Sequence, residues 1–177
     1  SIFLEQIKRI AVIAMFADDK LMEKLTLKGG NALDLVYGIS TRASIDLDLS
    51  INGILEPEED LKARIQKSLE ETFREEAKLI VIDVNFRAVP PVISEDRKSF
   101  WGDWKIEFKL VTMDVHAQYR SNIEDLRRRA ISVGKGGSTK FKIDLSNHEY
   151  CDDRLKHDFE GYSVFVYSPG MLVCEKI

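Results

Sequence analysis

Cysteine is scarce in this chain: Cys151 and Cys174 are its two. They form no C-x-x-C pair and no disulfide framework, which fits a reducing, cytoplasmic setting. No asparagine opens an N-x-Ser/Thr sequon. Long apolar runs are missing as well. The longest near the N-terminus covers residues 10–17, far short of the ~20 residues a membrane helix needs. Ile2, Phe3, Leu4 and Glu5 stand ahead of Lys8 and Arg9, unlike the leading segment of a signal peptide, so a buried helix is expected there. Histidine is rare. His148, Cys151, Asp152 and His157 match no zinc spacing, His116 is isolated, and no Ser/His/Asp arrangement can be built from them. A basic excess is absent too: 26 Lys and Arg face 30 Asp and Glu, a net charge of −4. That argues against a general nucleic-acid coat and leaves room for a local basic patch. Repeats, low-complexity stretches and clear linkers are lacking.

What remains is a globular composition, 44% hydrophobic and 32% charged over 177 residues, suited to one domain. Ile2, Phe3, Ile7, Ile10, Ala11, Ala14 and Met15 give residues 2–17 the broad apolar face of a packed helix. After a polar link at 17–20, residues 25–28 alternate as a short strand ended by Gly29-Gly30. Residues 31–37 read as a two-turn helix with Asn31 as N-cap and Gly38 as stop. Strict alternation predicts a strand over 44–51. Pro57 opens a helix with acids in its first turn and Leu61, Ile65, Leu69 and Phe73 as its stripe. Further strands are expected at 79–84, 104–111, 140–146 and 162–166, helices at 122–130 and after Pro169, and a flexible loop at 134–139. The sum is a mixed sheet covered by helices, an α+β or α/β domain.

The chemistry gathers around Gly29-Gly30 and Asp46-Leu47-Asp48. Residues two apart on a strand share a face, so Asp46 and Asp48 project together while Ile45, Leu47 and Leu49 turn to the core. Paired carboxylates repel unless a cation lies between them, and Mg²⁺ takes one or two carboxylates plus substrate phosphates. A glycine turn leading into a helix lets backbone N–H groups approach a phosphate. Each feature has a plain alternative: an acidic exposed face, and an ordinary strand-to-helix turn. Asp144 alternates with Ile143 and Leu145 and shares its face with Lys140 and Lys142. A strand there beside the Asp46 strand would bring three carboxylates together; Glu107, on the strand at 104–111, is the rival third.

Two segments carry a family resemblance: Leu27-Lys28-Gly29-Gly30-Asn31-Ala32-Leu33, and Arg42-Ala43-Ser44-Ile45-Asp46-Leu47-Asp48-Leu49. Together they resemble the AbiEii/AbiGii abortive-infection toxins, nucleotidyltransferase-like proteins of type IV toxin–antitoxin systems. The family pattern is K-G-G-[ST]-A-L, then R-[FY]-S-x-D-[IL]-D. Asn31 stands where Ser or Thr is usual, and Ala43 where an aromatic is usual. Residues 142–146 are similar to the family strand carrying the third carboxylate. Residues 167–177 are similar to its Y-[ST]-x-E-x-[LIV]-[LIV]-A-E-K segment, with Gly170 for the Glu.

The resemblance implies an α+β, nucleotidyltransferase-like mixed sheet flanked by helices. It implies one or two Mg²⁺ ions on Asp46, Asp48 and Asp144. A nucleoside triphosphate would be bound by Lys28, Gly29, Gly30, Asn31, Arg42 and Ser44, with Lys176 stabilising developing charge. Lys28, Arg42 and Lys176 suit phosphate and equally suit a solvated surface, and Ser44 suits a hydrogen bond within its loop. The acceptor implied is RNA, tRNA among relatives; a cognate antitoxin is the expected partner, and no membrane is. The family continues beyond the Glu175-Lys176 pair into a helical C-terminal region. Residues 1–177 are therefore expected to be a single nucleotidyltransferase-like domain cut short before it. Two other readings stay open: a nucleotide- or partner-binding module without turnover, and a phosphohydrolase using the same carboxylates. Residues 120–142 hold seven basic side chains against two acids, a balance of +5 that would attract an RNA backbone if clustered.

Overall fold

The computed structural model describes residues 2–38, 46–51, 58–89, 103–147 and 154–170. The apolar stripe read from the sequence makes α1 (Ile2–Ala17) one wall of the core, burying Ile7 and every residue from Ala11 to Phe16. α4 (Glu58–Ala77) packs against it through Leu61, Ile65, Leu69 and Phe73, four positions one helical turn apart. Between them, Asp18 caps the short α2 (Asp19–Lys24), accepting from the N–H groups of Lys20 and Leu21. The same carboxylate holds Arg64 of α4 at 3.0 Å, so one side chain ends the link and ties two helices.

Among the described residues, seven strands form one mixed sheet: β1 (Leu25–Lys28), β2 (Leu47–Ile51), β3 (Leu79–Val89), β4 (Asp103–Thr112), β5 (Phe141–Ser146), β6 (Arg154–Phe159) and β7 (Tyr162–Tyr167). The order across the sheet is β3-β4-β5-β2-β1-β7-β6. β2 runs parallel to β5 and β1 parallel to β7; the other pairs are antiparallel. One face is apolar. Leu47, Leu49, Ile51, Ile106, Phe108, Leu110, Phe141, Ile143 and Leu145 are buried in the same core as α1 and α4. Phe108 sits at the centre, 5.6 Å from the Phe73 ring and 5.3 Å from Phe141.

On the apolar side α3 (Gly29–Leu35) packs on β1 and β2 and adds Ala32 to the main core. The alternate residues of the same strands face the other way. At the far side, α5 (Met113–Tyr119) and α6 (Ile123–Arg128) close over β3 and β4 around Ile82, Val111 and Leu126. Beside α5 and α6 this polar face carries Lys105 of β4, Asp144 of β5 and Asp48 of β2 in one row. The α+β architecture with a helix-flanked mixed sheet is as expected. Among the described residues, no helix is long and apolar enough to cross a membrane.

Several elements differ from the sequence reading. α3 begins at Gly29, with Lys28 at its N-cap position, so Asn31 lies inside the first turn and is not the cap. β2 starts at Leu47, which leaves Asp46 at a bend just ahead of it. α2 begins within the stretch expected as a polar link, and α5, where no element was expected, has no buried residue and so shows no apolar stripe to detect. β6 is an edge strand of mostly polar residues, without the alternation of a half-buried strand. Its hairpin is made by Glu160 and Gly161, both at positive φ, as a two-residue turn of the primed type requires. Apart from Pro169 and Gly170, the helix expected after Pro169 lies outside the described residues.

Candidate active site

Register places the chemistry. Lys28 of β1 pairs with Asp48 of β2, Asp48 with Asp144 of β5, and Asp144 with Lys105 of β4, which pairs in turn with Arg87 of β3. A single row across five strands therefore reads Arg87, Lys105, Asp144, Asp48, Lys28, with two carboxylates side by side between cations. Neighbouring strands lie ~4.8 Å apart, so the two carboxylates share one patch of the polar face. Lys105 Nζ stands 3.7 Å from Asp144 Oδ1, an ion pair too long for a hydrogen bond. Asp144 Oδ1 is itself buried and has no hydrogen-bond partner. On the other flank, Lys28 Nζ donates to Ser146 Oγ at 3.2 Å, reaching diagonally across β2.

The glycine turn closes over this pair. Gly29 has φ +73°, a left-handed conformation that side chains disfavour. A side chain there would also bring its Cβ to 2.7 Å from Asp48 Oδ2. The bare backbone of the turn thus lies directly against the Asp48 carboxylate. Gly30 follows it in the first turn of α3. Asn31 is fully buried, and its Nδ2 donates to the backbone carbonyl of Asp46. That bond clamps the start of β2 onto α3. Asn31, expected beside the nucleotide, here uses its amide nitrogen to hold Asp46.

Asp46 sits under electrostatic strain. Burial pushes its carboxyl above the usual carboxylate range and Asp144 pushes it further, against the opposing pull of Lys142, Lys105 and Lys8. Asp48 is level with Asp144 by register, and Asp46 feels the charge of Asp144. Among the described residues no three His, Cys, Asp or Glu side chains are gathered tightly enough to hold a metal by themselves. Mg²⁺ does not require such a cage, since it is usually held by one or two carboxylates with substrate phosphates and water completing its shell. Adjacent carboxylates with an orphaned, buried oxygen on Asp144 are a donor set that fits it. The rival carboxylate Glu107 is differently engaged, with Arg87 at 3.5 Å and Lys140 at 3.5 Å.

Two site residues escaped sequence reasoning. Lys105 became visible only through pairing of β4 with β5. Lys8, on α1, is 3% exposed. Burial lowers its pKa, while Asp34, Glu5 and Asp46 pull the other way. Its signal was in the sequence: a lysine one turn before buried Val12, on the apolar stripe of α1. Arg42, Ser44 and Lys176 lie outside the described residues. The basic run at 120–142 does not form one free patch. Arg127 is bound to Asp83 and Glu124, Arg128 to Asp125, Lys140 to Glu107, and Arg129 stacks over Tyr119 at 4.0 Å.

Among curated proteins, none matches this chain. The family described as nucleotidyl transferase AbiEii toxin, type IV toxin–antitoxin system, matches residues 12–177, which takes in the glycine turn and all three carboxylates. The chain belongs to the AbiEii family of nucleotidyl transferase toxins.

Proposed function

We propose that this protein transfers a nucleotide from a nucleoside triphosphate to an acceptor hydroxyl, RNA being the favoured acceptor, as the toxin of a type IV pair whose antitoxin restrains it in the cytoplasm. The observation that carries the reading is the register of Asp48 with Asp144 beside the Gly29 turn, on the polar face of the sheet. Asp46, Asp48 and Asp144 would hold Mg²⁺, which supplies charge neutralisation at the phosphates and lowers the cost of the developing negative charge. The rest falls to the chain's own groups. Gly29 and Gly30 leave room for a phosphate chain to lie against the turn, with Lys28 on one flank of the carboxylates. Arg42 and Ser44, from the segment preceding Asp46, and Lys176 would add contacts to the triphosphate. Asn31 fixes Asp46 from behind. Lys105 and Lys142, on the opposite flank, offset the charge of phosphates entering the site. Asp144 Oδ1, with no hydrogen bond of its own, is free to accept one from the acceptor hydroxyl and orient its oxygen. That oxygen bonds to the α-phosphorus, the bond to the β-phosphate's bridging oxygen breaks, pyrophosphate departs, and the hydroxyl proton passes to a neighbouring base.

The test is incubation of the chain with α-labelled nucleoside triphosphates, Mg²⁺ and total tRNA. Label on RNA is expected, reduced more than about 100-fold in Asp48→Asn and Asp144→Asn, since loss of a ligand costs more than loss of its outer supports. Triphosphate binding without transferred label would replace the reading with that of a binding module, and release of free phosphate with that of a hydrolase.

A further inference from the structure

The polar face does not end at the carboxylates. Two residues along β4 and β5 it opens into a cleft of about 520 Å³, lined among others by Asp83, Asn85, Glu107, Lys109, Arg127 and Lys140. That volume lies in the range that holds a ligand of nucleotide size. A bulge builds its far wall. The pairing of β3 with β4 slips between Ile82 and Asn85, and Asp83 takes φ +53°. The slip turns consecutive residues to the same side: Ile82 packs under α6 with Leu126, and Asp83 meets Arg127 of α6. Bulges commonly re-aim side chains beside functional sites, and a strained non-glycine residue persists only where its surroundings hold it. Here the hold is strong. Arg127 grips both Asp83 oxygens, at 2.8 and 3.0 Å, and Lys109 approaches to 3.6 Å.

The near wall repeats the pattern. Glu107 stands between Arg87 and Lys140, each at 3.5 Å. On the near wall one carboxylate is thus shared between two cations, whereas on the far wall Glu124 also holds Arg127, at 2.6 Å, so the excess positive charge lies on the near wall. Lys142 pairs with Glu107 in register, and Lys105 pairs with Asp144. The positive strip therefore runs from the cleft to the carboxylate pair, over two strand positions or ~7 Å. On a chain of net charge −4, a local excess of this sign aimed at the reacting carboxylate is a directed feature.

We propose that this cleft seats the sugar–phosphate backbone of a single-stranded RNA end, with the strip of Lys140, Lys142 and Lys105 leading its terminal hydroxyl to Asp144. The assignment rests on the transfer reading for its direction, and on the cleft alone for its binding. It is tested on the full chain by fluorescence anisotropy with a labelled single-stranded RNA oligonucleotide over a salt series. Lys140→Gln should weaken binding about threefold to tenfold and lower the salt slope by about 1, as loss of one phosphate contact does. Lys140→Arg should restore both. Glu107→Gln should tighten binding, because it removes a repelling charge and frees Arg87 and Lys140. Opposite shifts from neighbouring substitutions cannot come from a general loss of fold. Competition by inorganic phosphate as strong as by unlabelled RNA would mean a simple anion site and overturn the assignment. So would equal affinity and slope in wild type and Lys140→Gln. Label transfer to a non-RNA acceptor, with RNA unbound, would overturn the cleft and leave the transferase standing. RNA binding that follows Lys140 and Glu107 in a protein that never moves a nucleotide would do the reverse.

Discussion

Gly29 meets two demands at one position: a left-handed backbone and contact with a carboxylate. Gly29→Ala is expected to cost about 1–2 kcal/mol of stability from the positive φ alone, measured by urea denaturation. It should also displace Asp48 Oδ2, which a Cβ would approach to 2.7 Å, and so abolish triphosphate binding even where the variant folds. Asn31 acts from the other side of the same turn. Asn31→Ala removes a donor from the half-buried Asp46 carbonyl and should cost about 1–3 kcal/mol. Asn31→Ser, which restores the residue type usual in the family, is too short to reach that carbonyl in the same way. Its activity relative to Asn31→Ala would separate clamping of Asp46 from any direct contact with nucleotide.

At the level of elements, the site depends on strands whose other faces are locked into the core. β4 and β5 present Lys105 and Asp144 on one side only because Phe108 and Phe141 are buried on the other. Phe73 of α4 closes that ring cluster. Phe73→Ala should therefore cost about 3–5 kcal/mol, read by chemical denaturation, although it touches no site residue. At the sheet's other end β6 is held by its tight turn and by the Arg9–Glu160 pair at 2.7 Å, an exposed contact of small energetic weight. Changes there should leave the site's register intact.

Across the whole molecule, acid and site carboxylates pull stability in opposite directions. The Arg127 guanidinium holds the Asp83 carboxyl below its ordinary value of 3.8. For Asp18, burial disfavours ionisation, but the Leu21 N–H, Arg64 and the Lys20 N–H outweigh it and also lower the value below 3.8. The stability these two supply is present above pH 3.8 and lost as pH falls through their folded values. Asp46 has the reverse sign. Its carboxyl is raised, so its contribution is present below pH 3.8 and lost as pH rises through the folded value. Asp46→Asn should accordingly melt at a higher temperature than wild type at pH 7, with the gain vanishing below pH 3.8, in thermal scans at both pH values. A stabilising substitution that also removes transfer is the expected mark of a functional carboxylate kept at a cost to the fold.

The sequence by itself determined the apolar stripes of α1 and α4, the alternation of β2, β4 and β5, and the side of the sheet on which Asp48 and Asp144 stand. These follow from periodicity, which is local. The glycine turn and the acidic strand were legible for the same reason. Only the tertiary structure decided that β5 runs beside β2 with Asp144 level with Asp48, because strand order and register depend on long-range pairing. It also decided that Asn31 serves Asp46, that Glu107 is held by Arg87 and Lys140, and that Lys8 is buried near Asp46. The cleft was out of reach of pattern reading altogether: it is made by a bulge in β3, a helix placed by a small second core, and charges more than forty residues apart in the chain, 44 between Asp83 and Arg127. Local chemistry can be read from residue spacing, but a site assembled across strands exists only once the sheet has formed.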